Sequence, residues 1–221
     1  YRSKITHSGN VFTEDILEGL LHTEMPDDPC VEDNDVAVVI FTSGSTGAKK
    51  GVMLTHRNLC ANTESIVQYL NLTSRDRICA TLPFFYCYGT SLLHTHLRIG
   101  GSIVLSNNIF LGGAIKDINN FSCTGFAGVP STYQILINKT PFLNEELPTL
   151  RYMMQAGGQL PNKYIRMIAE AFPRKEFFVM YGATEATARL SYLPPNLVLT
   201  KLGSIGKGIP GVTLEVLNSD G

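Results

Sequence analysis

Short apolar runs rich in β-branched residues alternate along the chain with longer stretches of helical periodicity. The run VAVVIF at 36–41 predicts a buried strand, and GVMLTH at 51–56 predicts a second, shorter strand. Thr55 is an N-cap candidate for a helix over 56–70, because its hydroxyl can accept a hydrogen bond from a free backbone N–H of the first turn. This part of the sequence therefore predicts strand, strand and helix in succession.

The same alternation continues towards the end of the chain. Further strands are predicted over 77–82, 102–105, 124–129, 150–158, 176–182 and 212–217. Further helices are predicted over 89–101, 130–139 and 160–172. Strands that alternate with helices are typical of an α/β fold built on a layered, largely parallel sheet, and we predict that fold class.

The two ends of the chain suggest a piece of a longer protein. Residues 1–34 are polar, and we interpret them as a lead-in segment before a single partial domain over 35–221. The chain has no initiator methionine, and it stops at NSDG, a turn signal that normally leads into another strand. We therefore expect further protein on both sides.

Composition fits a soluble globular protein and gives no sign of a charged partner. The 221 residues are 44% hydrophobic and 17% charged, with 18 basic and 19 acidic residues. This balance gives no hint of nucleic-acid binding, and the longest aliphatic run is far too short to cross a bilayer. The five cysteines include no C-x-x-C pair, which favours reduced thiols in a cytoplasmic protein over disulfides or a zinc site.

The loop after the first predicted strand is rich in glycine and hydroxyl residues. Within FTSGSTGAKKG it contains Thr42, Ser43, Gly44, Ser45, Thr46, Gly47, Lys49 and Lys50. Glycine amides, hydroxyls and a lysine can together bind phosphate oxygens. A Walker A loop needs about four residues between its glycines, whereas Gly44 and Gly47 enclose two. A phosphate loop of another kind and an ordinary Gly/Ser linker both remain open.

A second strand end, QAGGQLP at 155–161, leaves its strand through paired glycines. Glycine there would let a flat ring lie close to the backbone, and a tight strand-to-helix turn explains the pattern equally well.

A third strand end, MYGATEATAR, carries an aromatic, a hydroxyl and a carboxylate in close succession. Tyr181 could stack on a base, Thr184 could bond a phosphate oxygen, and Glu185 could hold a magnesium ion. The alternative is a surface ion pair between Glu185 and Arg189, which are four residues apart on a helical spacing.

Five segments of the chain together match one family. They are FTSGSTGAKKG, LPFFYCYG at 82–89, QAGGQLP, MYGATE and GSIGKGIPG at 203–211. In this order they resemble the core motifs of the adenylate-forming superfamily, which includes acyl-CoA synthetases, peptide-synthetase adenylation domains and luciferases. The resemblance covers nearly all of the chain from residue 36 onward, and it implies the central part of the large N-terminal domain of such an enzyme.

The resemblance implies which residues would hold the phosphates of ATP. The loop from Thr42 to Gly47, with Lys50, would bind the β- and γ-phosphates. Thr184 would contact the α-phosphate, and Glu185 would be the ligand of Mg²⁺. Lys49 departs from the family, which usually has proline at that position.

The resemblance also implies an adenine site and a wall for the acid substrate. The adenine site would be formed by Gly157, Gly158, Tyr181 and Gly182. Tyr86 lies where many members carry a histidine or an aromatic residue near the carboxylate and the mouth of the acyl pocket. The wall of that pocket would lie between Phe84 and Gly89 and around 155–158 and 180–183.

The implied activity is the ATP-dependent conversion of a carboxylic acid to an acyl-adenylate, with release of pyrophosphate. The product would then pass to a thiol, either that of coenzyme A or the phosphopantetheine of an acyl carrier protein. A carboxylate is already a nucleophile, so catalysis needs positioning and charge neutralisation and no Ser–His or Cys–His pair. The family's later motifs and its C-terminal lysine-bearing domain should follow residue 221, so we expect the fragment alone to be inactive.

Two other classes stay open on the sequence. A phosphotransferase or NTPase would cleave at the γ-phosphate and release ADP, although the loop spacing and the YGATE segment count against it. A non-catalytic nucleotide-binding protein of the same fold would keep these motifs without turnover.

Overall fold

The computed structural model describes residues 30–42, 50–106 and 111–218. The chain divides into two units, residues 1–32 and 33–221, and every helix and strand given below lies in the second. The lead-in segment predicted over 1–34 therefore lies almost entirely outside the described residues. The same holds for part of the phosphate-loop candidate, namely Ser43, Gly44, Ser45, Thr46, Gly47 and Lys49.

An antiparallel hairpin flanks the phosphate-loop candidate. Its strands are β1 (Val36–Thr42) and β2 (Lys50–Thr55). The prediction that the first strand is buried was wrong, because Ile40 is the one buried residue of β1 and Phe41 is 70% exposed. Among the described residues no third strand pairs with the hairpin. Its outer face is open to solvent, since Val39, Phe41 and Met53 are 46%, 70% and 69% exposed.

The main sheet contains seven strands within the described residues. They are β3 (Arg77–Ala80), β4 (Ser102–Leu105), β5 (Gly125–Gly128), β6 (Tyr152–Gln155), β7 (Glu176–Tyr181), β8 (Ser191–Leu193) and β9 (Lys207–Gly208). Their order in the sheet is β4-β3-β5-β6-β7-β8-β9. The first five pair in parallel, whereas β8 and β9 are antiparallel. The predicted α/β fold with a largely parallel sheet is confirmed.

The helices connect these strands as the alternation predicts. They are α1 (His56–Tyr69), α2 (Cys87–Arg98), α3 (Leu111–Asn120), α4 (Pro130–Lys139) and α5 (Asn162–Ala171). Thr55 caps α1 as predicted: its hydroxyl accepts from the Asn58 N–H at 3.2 Å, and the Asn58 side chain accepts from the Thr55 N–H at 3.0 Å. None of the described helices is both long enough and apolar enough to span a membrane.

Helices cover both faces of the main sheet. α3, α4 and α5 pack on one face with Met153 and Phe177, and α1 and α2 pack on the other with Met154 and Phe178. Successive residues of a strand point to opposite faces, which is why neighbours in β6 and β7 belong to different cores. The result is a three-layer arrangement whose strand ends are free to carry a site.

Part of the arrangement differs from the sequence prediction. α3, β8 and β9 were not predicted, and the strand predicted over 212–217 is wrong. Gly112 and Gly113 weaken the helical signal of α3, and β8 and β9 are too short to show a period. In the described part of the chain no strand pairs with 212–217, and Val216 is 99% exposed.

Candidate functional site

A cavity of about 580 Å³ opens at the carboxyl ends of β6 and β7. Neighbouring parallel strands end at the same edge of a sheet, so the loops that follow them meet there. The predicted site residues that line this cavity are Tyr86, Gly157, Gly158, Tyr181, Gly182 and Thr184. The structure therefore brings three separate sequence motifs into one lining.

The loop after β6 packs directly against Tyr86. Gly157 has a φ of +82°, and a Cβ there would come within 2.5 Å of the Tyr86 hydroxyl oxygen and 3.1 Å of the Val129 side chain. The side-chain amide nitrogen of Gln155 (Nε2) donates to the Gly158 carbonyl at 2.7 Å and stabilises the turn. Position 157 therefore needs glycine for its backbone conformation and for the space that Tyr86 occupies.

The loop after β7 folds back tightly on itself. A Cβ at Gly182 would overlap the carbonyl oxygen of Ala188, and the Leu190 N–H donates to the Tyr181 carbonyl at 2.9 Å. Thr187 and Ala188 have left-handed φ values of 59° and 87°, which are uncommon for residues with a side chain. Strained backbone of this kind persists only where its surroundings fix it, and it concentrates at functional sites.

The side chains at the cavity offer a ring face and two hydroxyls. The Tyr181 side chain is 46% exposed, which leaves its ring accessible for stacking. The Thr184 hydroxyl donates to the Cys87 sulfur at 3.3 Å, and a thiol is a weak acceptor. Burial, with a smaller contribution from Cys87, raises the pKa of Tyr86 above its ordinary value, so this hydroxyl stays protonated at neutral pH.

Comparison with known proteins agrees with this geometry. The family model for the AMP-binding enzymes matches residues 3–221. The chain belongs to this family. The prediction from the five motifs, the adenylate-forming superfamily, is thereby confirmed.

Two curated members and one solved structure give the extent of the match. The chain is 28% identical to the putative acyl-CoA synthetase YngI of Bacillus subtilis over 189 residues, which are 85% of the chain and 34% of YngI. It is 32% identical to the acyl-CoA ligase sidI of Beauveria bassiana over 194 residues, which are 86% of the chain and 34% of sidI.

Among solved structures, the chain is similar to o-succinylbenzoate coenzyme A synthetase (MenE) from Bacillus subtilis in complex with AMP. It matches with a TM-score of 0.74 and 28% identity, over 81% of this chain and 36% of MenE. MenE has also been solved in complex with ATP and a magnesium ion. The chain thus spans about a third of the length of the curated relatives that it matches.

In this chain the consecutive residues Thr184 and Glu185 face different recesses. Glu185 is exposed and lines a neighbouring recess of about 350 Å³ between α1, β2 and residues 209–212, and it does not line the main cavity. The alternative surface pair with Arg189 is wrong, since Arg189 is only 1% exposed and no ion pair among the described residues joins the two. The Glu185 carboxylate is therefore accessible at the rim beside Thr184.

The ends of the phosphate-loop candidate lie together on the hairpin. Thr42 is opposite Lys50 in the register of β1 and β2, Lys50 is exposed, and neither lines the main cavity. The buried side of the hairpin packs with Cys87 and against Ala188. The hairpin is therefore anchored to the turn that carries Thr184, while 43–49 lie outside the described residues.

Gly89, predicted as part of the acyl wall, does not line the main cavity. It is buried in the first turn of α2, and a Cβ there would overlap the carbonyl oxygen of Pro83. Glycine lets the segment before α2 approach the helix closely, and that segment carries Tyr86. Position 89 thus has a packing reason for glycine, and contact with a substrate stays a prediction.

Ser204 and Ile205 are among the lining residues that were not singled out from the sequence, although both lie inside the fifth motif. Cys87 and Met180 also line the cavity, and both fall in the segments predicted to form the pocket wall. Arg189 carried no such signal, because its burial depends on side chains from α1, α2 and the sheet that are distant in sequence.

Proposed function

We propose that the protein carrying this chain activates a carboxylic acid with ATP, forming an acyl-adenylate and pyrophosphate, and then transfers the acyl group to the thiol of coenzyme A. The observation that carries the proposal is the single cavity at the carboxyl ends of β6 and β7. It gathers an exposed aromatic ring, glycine turns and a threonine hydroxyl, namely Tyr181, Gly157, Gly158 and Thr184.

The reaction assigns these residues complementary tasks. Adenine stacks on Tyr181 and lies against the Gly157–Gly158 turn, where the lack of side chains permits close approach. A carboxylate oxygen then attacks the α-phosphorus, and the bond to pyrophosphate breaks. Thr184 exchanges its weak contact with Cys87 for a bond to an α-phosphate oxygen, which stabilises the charge that develops there.

Magnesium fits the donors at the rim of this site. Mg²⁺ is commonly held by one or two carboxylates together with substrate phosphates and water, so the exposed Glu185 suffices as its protein ligand. The ion would neutralise phosphate charge during the transfer. The loop between Thr42 and Lys50 would hold the β- and γ-phosphates, which the anchoring of its hairpin beside Thr184 supports.

Coenzyme A as the acceptor is supported by the acyl-CoA ligase names of the relatives. An acyl carrier protein is the alternative acceptor. The proposed wall facing the acid is formed by Tyr86 and the first turn of α2 up to Gly89.

All five cysteines are free thiols, which supports a cytoplasmic location. We expect the 221-residue chain by itself not to turn over, because it spans about a third of its relatives.

The decisive experiment is carboxylate-dependent exchange of labelled pyrophosphate into ATP by the full protein, across a panel of acids. Exchange with formation of AMP is expected, and formation of ADP would instead indicate phosphotransfer. Addition of coenzyme A or of a holo carrier protein then identifies the acceptor. Nucleotide binding without exchange for any acid would point to a non-catalytic member of the family.

A further inference from the structure

Arg189 is a buried charge that lacks an acidic partner. It is 1% exposed and lies between the main sheet and helices α1 and α2. No ion pair joins it to a carboxylate of the residues that the structure describes. Burial of an unpaired charge is energetically costly, so the presence of Arg189 in the core requires an explanation.

The contacts of the guanidinium are all with neutral groups. One terminal nitrogen, Nη1, donates to the Tyr69 hydroxyl at 2.9 Å and approaches the sulfurs of Met154 and Met180 at 3.4 and 3.7 Å. The other, Nη2, donates to the Ser91 hydroxyl at 3.2 Å. Hydroxyls and thioethers are neutral and do not neutralise the positive charge of the guanidinium, and thioethers are weak hydrogen-bond acceptors.

Two buried polar atoms beside this network have no hydrogen-bond partner within the described part of the chain. They are Nε of Arg189 and the hydroxyl of Tyr88, whose ring centre lies 5.3 Å from the guanidinium carbon. Most buried polar atoms in native proteins are paired, so two unpaired atoms in one place need explaining. Each is a donor that the oxygen of a ligand could satisfy.

This group lies one side chain behind the wall of the main cavity. Met180 lines the cavity with Cys87, and its sulfur also contacts Arg189. Ser91 follows Cys87 by four residues of α2, about 6 Å further along the helix axis. Because methionine is flexible and adapts its shape readily, a shift of Met180 would connect the cavity with Arg189.

We propose that Arg189 is a specificity-determining residue that binds a second carboxylate, at the end of the acid substrate remote from the reacting carboxylate. The inference rests on the proposed function. The reacting carboxylate must meet the α-phosphate beside Thr184, which contacts Cys87 at the near end of α2. The distal group reaches the level of Ser91, where the planar guanidinium fork matches a carboxylate in charge and geometry.

The test compares linear acids of equal carbon number, one series with a single carboxylate and one with a carboxylate at each end. Pyrophosphate exchange by the full protein should favour the dicarboxylates by roughly tenfold to a hundredfold in kcat/KM, as expected for a charge-assisted pair. R189M should lose this preference and keep exchange with the monocarboxylates. Y88F, which removes only the unpaired hydroxyl, should lower the preference severalfold.

The matched control is R151M, which removes an arginine that already pairs with Asp76 and Glu176. It should leave the ratio between the two series unchanged. Wild-type preference for monocarboxylates, or a dicarboxylate preference that survives R189M, would overturn the role of Arg189 and leave the proposed function standing. If R189M fails to fold, the wild-type ratio and Y88F still decide. Absence of exchange with every acid would remove the proposed function and this inference with it.

Discussion

The parallel strands of the main sheet have an arginine near each of their two ends, and the surroundings of the two arginines differ. At the amino ends, Arg151 donates to Asp76 at 3.0 Å and to Glu176 at 3.1 Å. Near the carboxyl ends, Arg189 is buried among hydroxyls and thioethers. Arg151 therefore forms ion pairs that stabilise the fold, whereas Arg189 remains able to bind an anionic group.

The amino end is closed by a satisfied polar network. Besides Arg151, Asp76 accepts from the Thr73 N–H at 2.8 Å and from the Thr124 hydroxyl at 2.9 Å, and its side chain is 6% exposed. These bonds tie the segments that precede β3, β5 and β6 to one carboxylate. A network in which each charge has a partner stabilises the sheet and leaves little for a ligand.

The carboxyl end shows the opposite state. Tyr181 is exposed, Thr184 makes a weak hydrogen bond, and Thr187 lies in left-handed backbone. Ligands of open α/β sheets bind in the crevice outside the carboxyl ends of the strands. Unsatisfied and strained groups thus lie at the carboxyl end of this sheet, where we propose the active site, and satisfied groups lie at the amino end.

Replacement of Asp76 should have the largest effect on stability. D76A leaves Arg151 without its buried partner and removes several hydrogen bonds, so we expect a loss of about 3 kcal/mol in the free energy of unfolding. E176A is the matched control, since its pair is more exposed and is worth about 1 kcal/mol or less. Urea unfolding of the full protein measures both. If D76A changed the KM for ATP, expressed as a free energy, by more than it changed the free energy of unfolding, the distinction between the two ends of the sheet would be wrong.

Acid should reveal the same network. Burial alone would raise the pKa of Asp76, but the hydrogen bonds from Thr73, Arg151 and Thr124 outweigh it and hold this pKa below its ordinary value. The stabilisation is therefore present above the unfolded pKa of about 4 and is lost as pH falls through the lower folded pKa. In unfolding measured against pH, D76A should lack this acid-side loss.

Replacement of Thr184 tests the functional end. T184V keeps the shape and removes the hydroxyl that we assign to the α-phosphate, so exchange should fall by about a hundredfold. Stability should hardly change, because the lost hydrogen bond runs to a thiol. T187V, in the same turn, is the control and should stay close to wild type. Equal losses in the two variants would mean that the turn, and not the hydroxyl, is what matters.

The positions of the strand-end residues were predicted from the sequence better than the packing behind them. Gly157, Tyr181 and Thr184 could be placed at one edge because strand ends and motif order are local signals. The open face of β1 could not be predicted, since an apolar run reads the same whether or not a second layer covers it. The alternative of a surface pair between Arg189 and Glu185 rested on a spacing that fits a helix, whereas the chain there is a short 3₁₀ turn followed by a strand.

Substitution of Gly157, which contacts Tyr86, should cause a smaller loss of stability that a second substitution at Tyr86 partly restores. G157A places a methyl group against the Tyr86 hydroxyl and forces alanine to a φ of +82°, at a combined cost of about 2 kcal/mol. Y86F removes the hydroxyl, so the double variant should recover the steric part and keep the backbone part. Thermal unfolding and the KM for ATP of the four proteins form the cycle. Strict additivity would show that the two residues do not press on each other.

The smallest effect is expected at the hairpin, where the two lysines of the phosphate-loop candidate can be separated. Lys50 is exposed at the start of β2 and opposite Thr42, and by resemblance it is the lysine that meets the β- and γ-phosphates. K50A should raise the KM for ATP by about tenfold, as expected for loss of one charge-assisted contact to phosphate. K49A, with the same change of charge one residue earlier, should raise it by about twofold or less, because a general attraction of that kind is screened by salt. Measurement of both KM values at low and high salt separates the contact from the general field, and equal effects or the reverse order would assign the phosphate to Lys49.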